Sequence, residues 1–384
     1  MEAFEIDVVE TKYCTTGAKI KVIGVGGGGG NMINHMIKEG VKDIDLIVAN
    51  TDGQALEGSL APYKVKLGVN TTGGQGAGMV PEKGREAALE SYEELRSILK
   101  GSDMVFISAG LGGGTGTGAA PVIAQVAKEV GALTVSVVTT PFKFEGKKRS
   151  LLSKEGLEEL KRESDSIIII PNEKLLSIVE KNLGLKESFK LVDDILAQAV
   201  SGISNVIISN GANDINLDFA DIKTVMSHRG MALMGTGKAN GENAAYEAAK
   251  AAIESPLLDN ISIDGAKGVL VHFYMHPDYP LMEISEAMEI IQENADGDAY
   301  VIFGTTTDAS YALDEIKITV VATGFEEKTS THLSSDKKIE PQTLFSSQTN
   351  NTNIHRNSSK IVNGYNLDDD DLYQVPTFLR KQMD

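Results

Sequence analysis

Apolar residues along this chain gather into short β-branched runs, each leading into glycine and then into a stretch with helical spacing. Lys19-Ile20-Lys21-Val22-Ile23-Gly24-Val25 alternates as a strand does and runs into Gly26 to Gly30, with a helix predicted from Asn31 to Gly40. The rhythm repeats. Ile44 to Ala49 is a strand ending at Asn50-Thr51-Asp52, and Met104 to Ser108 is another, followed by a glycine-rich loop and a helix from about Ala119 to Val130. Ala132 to Val138, a helix near Ser150 to Glu163, and Ile167 to Ile170 complete the series. Buried β-branched strands alternating with helices predict an α/β fold with a parallel, doubly wound sheet.

Phe189 to Ser209 carries apolar positions at helical spacing with no internal Pro and reads as a connecting helix. Beyond it the pattern predicts a helix over 244–254, a strand over 268–275, a helix over 281–294, and strands over 299–305 and 315–323, which together make a second, smaller α/β domain. The expected divisions are an extension at 1–18, a first domain at 19–188, the helix at 189–209 and a second domain at 210–326. From Glu327 to Asn366 Ser, Thr, Asn, Gln and Lys dominate, with too few hydrophobes to offset ordering entropy, so 327–366 reads as a disordered linker. Apolar character returns in 367–384 with Leu372, Tyr373, Val375, Pro376, Phe378 and Leu379, the pattern of a docking peptide on a tether.

Charge narrows the functional classes. With 54 acidic against 36 basic residues the formal net charge is −18, which argues against a nucleic-acid partner because such a surface repels phosphate. Any polyanion must be bound by a local device. Cys14 is the only cysteine, so neither an internal disulfide nor a cysteine metal cluster can form, which fits a reducing cytoplasm. The acidic start lacks the features of a signal peptide, and no run of about 18 apolar residues occurs. A soluble cytoplasmic protein without direct membrane insertion is expected. The six histidines show no metal-site spacing, and no metal ligand is assigned.

Two glycine runs carry the candidate chemistry. Gly24 to Asn31 lies between a strand and a helix, where backbone N–H groups and a helix N-terminus can bind phosphate. Alone it also suits a dinucleotide enzyme, or merely a tight turn. The second run, Gly112 to Gly118, interleaves Thr115 and Thr117 with glycine, adding hydroxyl donors to a backbone cradle. Two such loops on one sheet suit a triphosphate held from both sides, whereas a nicotinamide enzyme needs one loop and a ribose carboxylate about twenty residues on. Gly235-Thr236-Gly237-Lys238-Ala239 lacks the first glycine and the hydroxyl of a P-loop.

Gly112 to Gly118 resembles the signature of the tubulin/FtsZ GTPase superfamily. The likeness extends through Gly26 to Asn31, Asn50 to Asp52, Gly76-Ala77-Gly78, the run Pro141 to Arg149, Asn216 to Asp221, and the tail from Val375 to Gln382, all in the family order. The resemblance implies a Rossmann-like GTP-binding domain, a long connecting helix and a second domain with a mixed sheet. It also implies a GTPase that polymerises head to tail at the mid-cell division site, with Mg2+ accompanying GTP or GDP. By the resemblance, Gly27, Gly28, Gly29, Gly30 and Asn31 with Gly114, Thr115, Gly116, Thr117 and Gly118 line the phosphates, and Gly76, Ala77 and Gly78 hold the γ-phosphate side.

Glu145 and Arg149 would reach ribose and phosphate, although their i,i+4 spacing equally suits a surface ion pair. Phe189 and Asp193 share a helix face, a pattern that by itself suits a core aromatic and a solvated carboxylate; the resemblance implies that the aromatic covers the base while the carboxylate accepts from guanine's N1–H and amino group, donors that adenine does not present together. Asp218 and Asp221 suit a helix cap with an acidic first turn, and the resemblance adds a catalytic role in the next subunit's site, with Asn216 placing the loop. The tail at 372–384 would recruit membrane-attached division adaptors such as FtsA. Two departures stand out: Ser209 to Asp214 is longer than the usual turn and lacks its proline, and Val80 stands where many relatives carry Asn. A nicotinamide oxidoreductase and a polymerising scaffold without hydrolysis are the rival classes.

Overall fold

The computed structural model describes residues 17–41, 43–175, 184–208, 215, 217–228, 230–255 and 265–325, together with 361–362 and 365–366. The strands are β1 (Ile20–Val25), β2 (Asp45–Asn50), β3 (Tyr63–Lys66), β4 (Met104–Gly110), β5 (Leu133–Thr140), β6 (Ser166–Pro171), β7 (Met231–Asn240), β8 (Gly268–Met275), β9 (Tyr300–Thr307) and β10 (Glu315–Phe325). They form one ten-stranded sheet in the order β3-β2-β1-β4-β5-β6-β7-β10-β8-β9. Neighbours from β3 through β7 run parallel, β10 is antiparallel to both β7 and β8, and β9 returns parallel to β8. The parallel half buries both faces, which is why its strands read as nearly continuous apolar runs.

The helices are α1 (Gly26–Lys38), α2 (Gly53–Glu57), α3 (Val69–Thr72), α4 (Pro81–Glu90), α5 (Tyr92–Leu99), α6 (Thr115–Glu129), α7 (Lys147–Glu163), α8 (Asn172–Leu175), α9 (Leu185–Ile208), α10 (Phe219–Met226), α11 (Ala244–Ile253) and α12 (Leu281–Asn294). One core joins α1, α9 and α10 to the sheet through residues such as Ile33, Met36, Val135, Val200, Ile203 and Val225. On the opposite face α4 to α7 pack around Ile107, Ile123 and Leu160. A third core holds α11 and α12 on the antiparallel half. The helix α9 is long and apolar enough by composition to cross a membrane, yet much of it is buried in the protein core.

The structure corrects two local expectations. Gly26 to Gly30 is not a loop before a helix but the first turn of α1 itself. The reason is packing: a Cβ at Gly29 would lie 2.3 Å from the Ser108 carbonyl oxygen, so only glycine lets the helix start this close to β4. α6 likewise begins at Thr115, ahead of Ala119, which puts Pro121 inside the helix; its missing N–H then deprives the Thr117 carbonyl of its usual donor. The P-loop-like segment Gly235 to Ala239 lies in the middle of β7, with Gly237 tight against α11.

Within 329–384 the described residues are two short strands, Ile361–Val362 and Tyr365–Asn366, which pair antiparallel. The extension 1–16, most of the linker and the tail 367–384 lie outside the described residues.

Candidate nucleotide site

The order β2-β1-β4 places a reversal between β1 and β4, and a doubly wound sheet leaves its crevice at the carboxyl ends of such strands. Both glycine runs emerge there. Gly24 and Gly29 press the start of α1 onto its own strand and onto β4, and a Cβ at Gly28 would sit 3.2 Å from the Gly110 nitrogen. Gly27 and Gly113 differ: a Cβ at either would meet no heavy atom within 4 Å, so their backbones face open space. These two openings, one on each loop, define the cradle. Asn31 is exposed on α1, whereas Gly30 is buried beside Val48.

The second loop is held from several sides. Thr115 Oγ1 lies 2.6 Å from Thr51 Oγ1, which ties it to the loop after β2. Thr117 is buried, and its hydroxyl accepts from the Gly112 N–H at 2.8 Å. Gly116 lies against the Gly110 carbonyl and Gly118 against Pro81. Thr117, Gly116 and Gly118 therefore shape the run, Gly114 is buried against Ala77, and Gly113 alone of these glycines faces open space.

The loop over 73–79 packs against both Thr51 and Gly114. Gly73, Gly74, Gly76 and Gly78 all have positive φ, so the chain folds back on itself within a few residues. The Gly76 N–H donates to the Thr51 carbonyl at 3.2 Å, and Ala77 is buried directly on Gly114, where an added Cβ would lie 2.8 Å from Ala77 Cβ. Asp52 caps α2 by accepting from the Gln54 and Ala55 N–H groups. Lys66, which the sequence pattern does not single out, lies under this loop, with Nζ 3.0 Å from the position of a Cβ at Gly74. Its only signal is its place at the end of an alternating strand.

Glu145 and Arg149 form an ion pair at the start of α7, and Glu145 Oε1 also accepts from the Phe142 N–H at 2.9 Å. Phe142 is buried, stacks on Phe144 and meets Phe189 edge-on at 5.6 Å between centroids. Phe189 remains 40% exposed, leaving part of its ring open. Asp193 is half-buried one turn along α9, and burial, followed by the neighbouring Asp194 carboxylate, pushes its pKa up to about 7. Asp194 is held by His35 of α1 at 2.8 Å.

The acidic pair lies elsewhere. Asp218 occupies the N-cap position of α10 but its side chain makes no cap hydrogen bond, and Asp221 lies in the first turn. Ile215 is pinned to β9 by reciprocal bonds with Thr305, and Gly304 packs between Val206 of α9 and the Ile215 carbonyl. This segment is thus anchored beside the C-terminal end of α9, whereas Phe189 and Asp193 stand near its N-terminal end. Asn216 and the long turn at 209–214 lie outside the described residues.

Two glycine runs meeting at the switch point of a doubly wound sheet give the chain the architecture of a nucleotide-binding protein. Residues 19–180 match the Tubulin/FtsZ family, GTPase domain, and residues 230–326 match the FtsZ family, C-terminal domain. The cell division protein FtsZ of Helicobacter pylori strain J99 is 51% identical over 311 residues, covering 81% of this chain and 80% of the relative. That of strain 26695 is 46% identical over 371 residues, covering 96% and 93%. The empty FtsZ dimer of M. jannaschii superposes with a TM-score of 0.76 at 45% identity, covering 80% of this chain and 89% of that one. The chain belongs to the FtsZ family of tubulin-like GTPases, the cell division proteins.

Proposed function

We propose that this protein binds GTP in the cradle, polymerises head to tail, and hydrolyses GTP only where the acidic segment of one copy meets the nucleotide of the next. The observation that carries this reading is the separation along α9. From Asp193 to Val206 the helix advances about 20 Å at ~1.5 Å per residue, so Asp218 and Asp221 stand far from the nucleotide of their own chain. Hydrolysis needs a group that orients and polarises water, and a carboxylate supplied by a neighbour can do this. Asn216 would help place the same segment.

Within one chain, the open backbones at Gly27 and Gly113 and the Thr115 hydroxyl would receive the phosphates, with the loop over 76–78 against the γ-phosphate. Phe189 would cover the base and Asp193 would read guanine's donor edge. Mg2+ would reduce the charge of the phosphates, taking its ligands from phosphate oxygens and water. Among the described residues no group of three or more His, Cys, Asp or Glu side chains converges to hold it.

Phosphate release measured across protein concentration tests the reading. Specific activity should rise with concentration, and Asp221→Ala should retain GTP binding while losing most turnover. A binding-deficient copy with an intact acidic segment, mixed with Asp221→Ala, should restore part of it. A concentration-independent rate would place the carboxylates within one chain. For the tail, deleting 372–384 should leave hydrolysis intact and remove attachment to adaptor-coated membranes; unchanged decoration would move the anchor into the folded domains.

A further inference from the structure

Gly156 sits in the interior of α7, a helix of 17 residues, where glycine is unfavourable compared with alanine. Its surroundings explain its presence. A Cβ at Gly156 would lie 2.3 Å from Thr117 Cγ2, with the next nearest atoms, Thr117 O and Cβ, at 3.3 and 3.5 Å. Thr117 is the residue whose hydroxyl accepts from the buried Gly112 N–H. The methyl and the hydroxyl share one χ1 torsion, so turning the methyl away from α7 carries Oγ1 off Gly112. The same helix meets the loop again one turn from its start, where the Arg149 carbonyl oxygen would be 2.8 Å from a Cβ at Gly112.

We infer that Gly156 is a positioning residue for the phosphate cradle: by leaving room for the Thr117 methyl, it fixes the rotamer that holds Gly112 and hence the open backbone at Gly113. This rests on the reading of the cradle as a GTP site. A side chain at Gly156 acts through Thr117 and touches no nucleotide.

The test is a double-mutant cycle on the full chain, read by titration with a fluorescent GTP analogue and by nucleotide-free thermal unfolding. Gly156→Ala should weaken nucleotide binding about tenfold, equivalent to ~1.4 kcal/mol, and should raise KM more than it lowers kcat. Thr117→Ser keeps the hydroxyl and removes the methyl. In that background the further change Gly156→Ala should cost less than about twofold. Thr117→Val keeps the bulk and removes the acceptor, so it should weaken binding as Gly156→Ala does. It provides the arm that remains if Gly156→Ala does not fold. Additive effects of Gly156→Ala and Thr117→Ser, or variants that unfold at lower temperature while binding GTP as the parent does, would overturn the inference. Failure of the parent itself to bind GTP would instead overturn the nucleotide reading on which it rests.

Discussion

Asp193 shows how one side chain's environment becomes a measurable property of binding. Burial and the charge of Asp194 hold its carboxyl about half protonated near neutrality. The protonated form cannot accept from both guanine donors, so GTP should bind to the ionised form and draw its pKa down. Affinity should therefore rise as pH increases from about 6 to 8, with proton release near pH 7 visible as a buffer-dependent enthalpy in calorimetry. Without nucleotide the sign reverses for stability: an acid whose folded pKa is raised favours the fold at low pH and contributes less as pH climbs through about 7. Asp194→Asn removes the like charge and should shift the affinity midpoint to lower pH, whereas an unmoved midpoint would leave burial as the sole cause. Asp193→Ala should erase the preference for GTP over ATP; equal affinities in the parent would dismiss the base assignment. None of this environment was legible beforehand, because the i,i+4 spacing of Phe189 and Asp193 shows a shared face but not which face is buried.

At the scale of elements, the β-branched runs marked their strands well because the parallel half is covered on both faces and needs no alternation. The strands before both glycine runs were legible, but the helix starts were not, since glycine normally opposes helix formation and here is demanded by close approach to β4 at Gly29 and Gly116. The stretch from 53 to 99 holds α2 to α5, which are only 5, 4, 10 and 8 residues long, so no extended periodic run marked them and they went unread. α9 was legible from its spacing, and it joins the sites at its two ends. Its buried face includes Val200 and Ile203, both fully enclosed. Ile203→Ala should cost about 2–5 kcal/mol of stability in chemical denaturation. A loss below ~1 kcal/mol would mean that the neighbouring side chains collapse into the gap.

For the whole molecule, the joint between the halves of the sheet is narrow. Among the described residues β6 and β7 share two register pairs, Ile167 with Met231 and Ile168 with Ala232, while β10 is paired with β7 along most of its length. What spans the joint is α9, whose buried residues share one core with Val135 and Ile168 on the parallel side and with Ala232, Leu270 and Val321 on the other. Amide exchange at Ile167, whose N–H donates to the Gly230 carbonyl across the joint, should consequently be faster than at Ile107 in the centre of the sheet; equal protection would show that the joint opens only with global unfolding. A ladder of hydrogen bonds and a greasy bearing respond differently to temperature. Apolar association weakens on cooling, so the two halves should grow looser against each other in the cold while each stays folded. Any linear assembly of such subunits would then soften from within its members as the temperature falls, even where the contacts between members are unchanged.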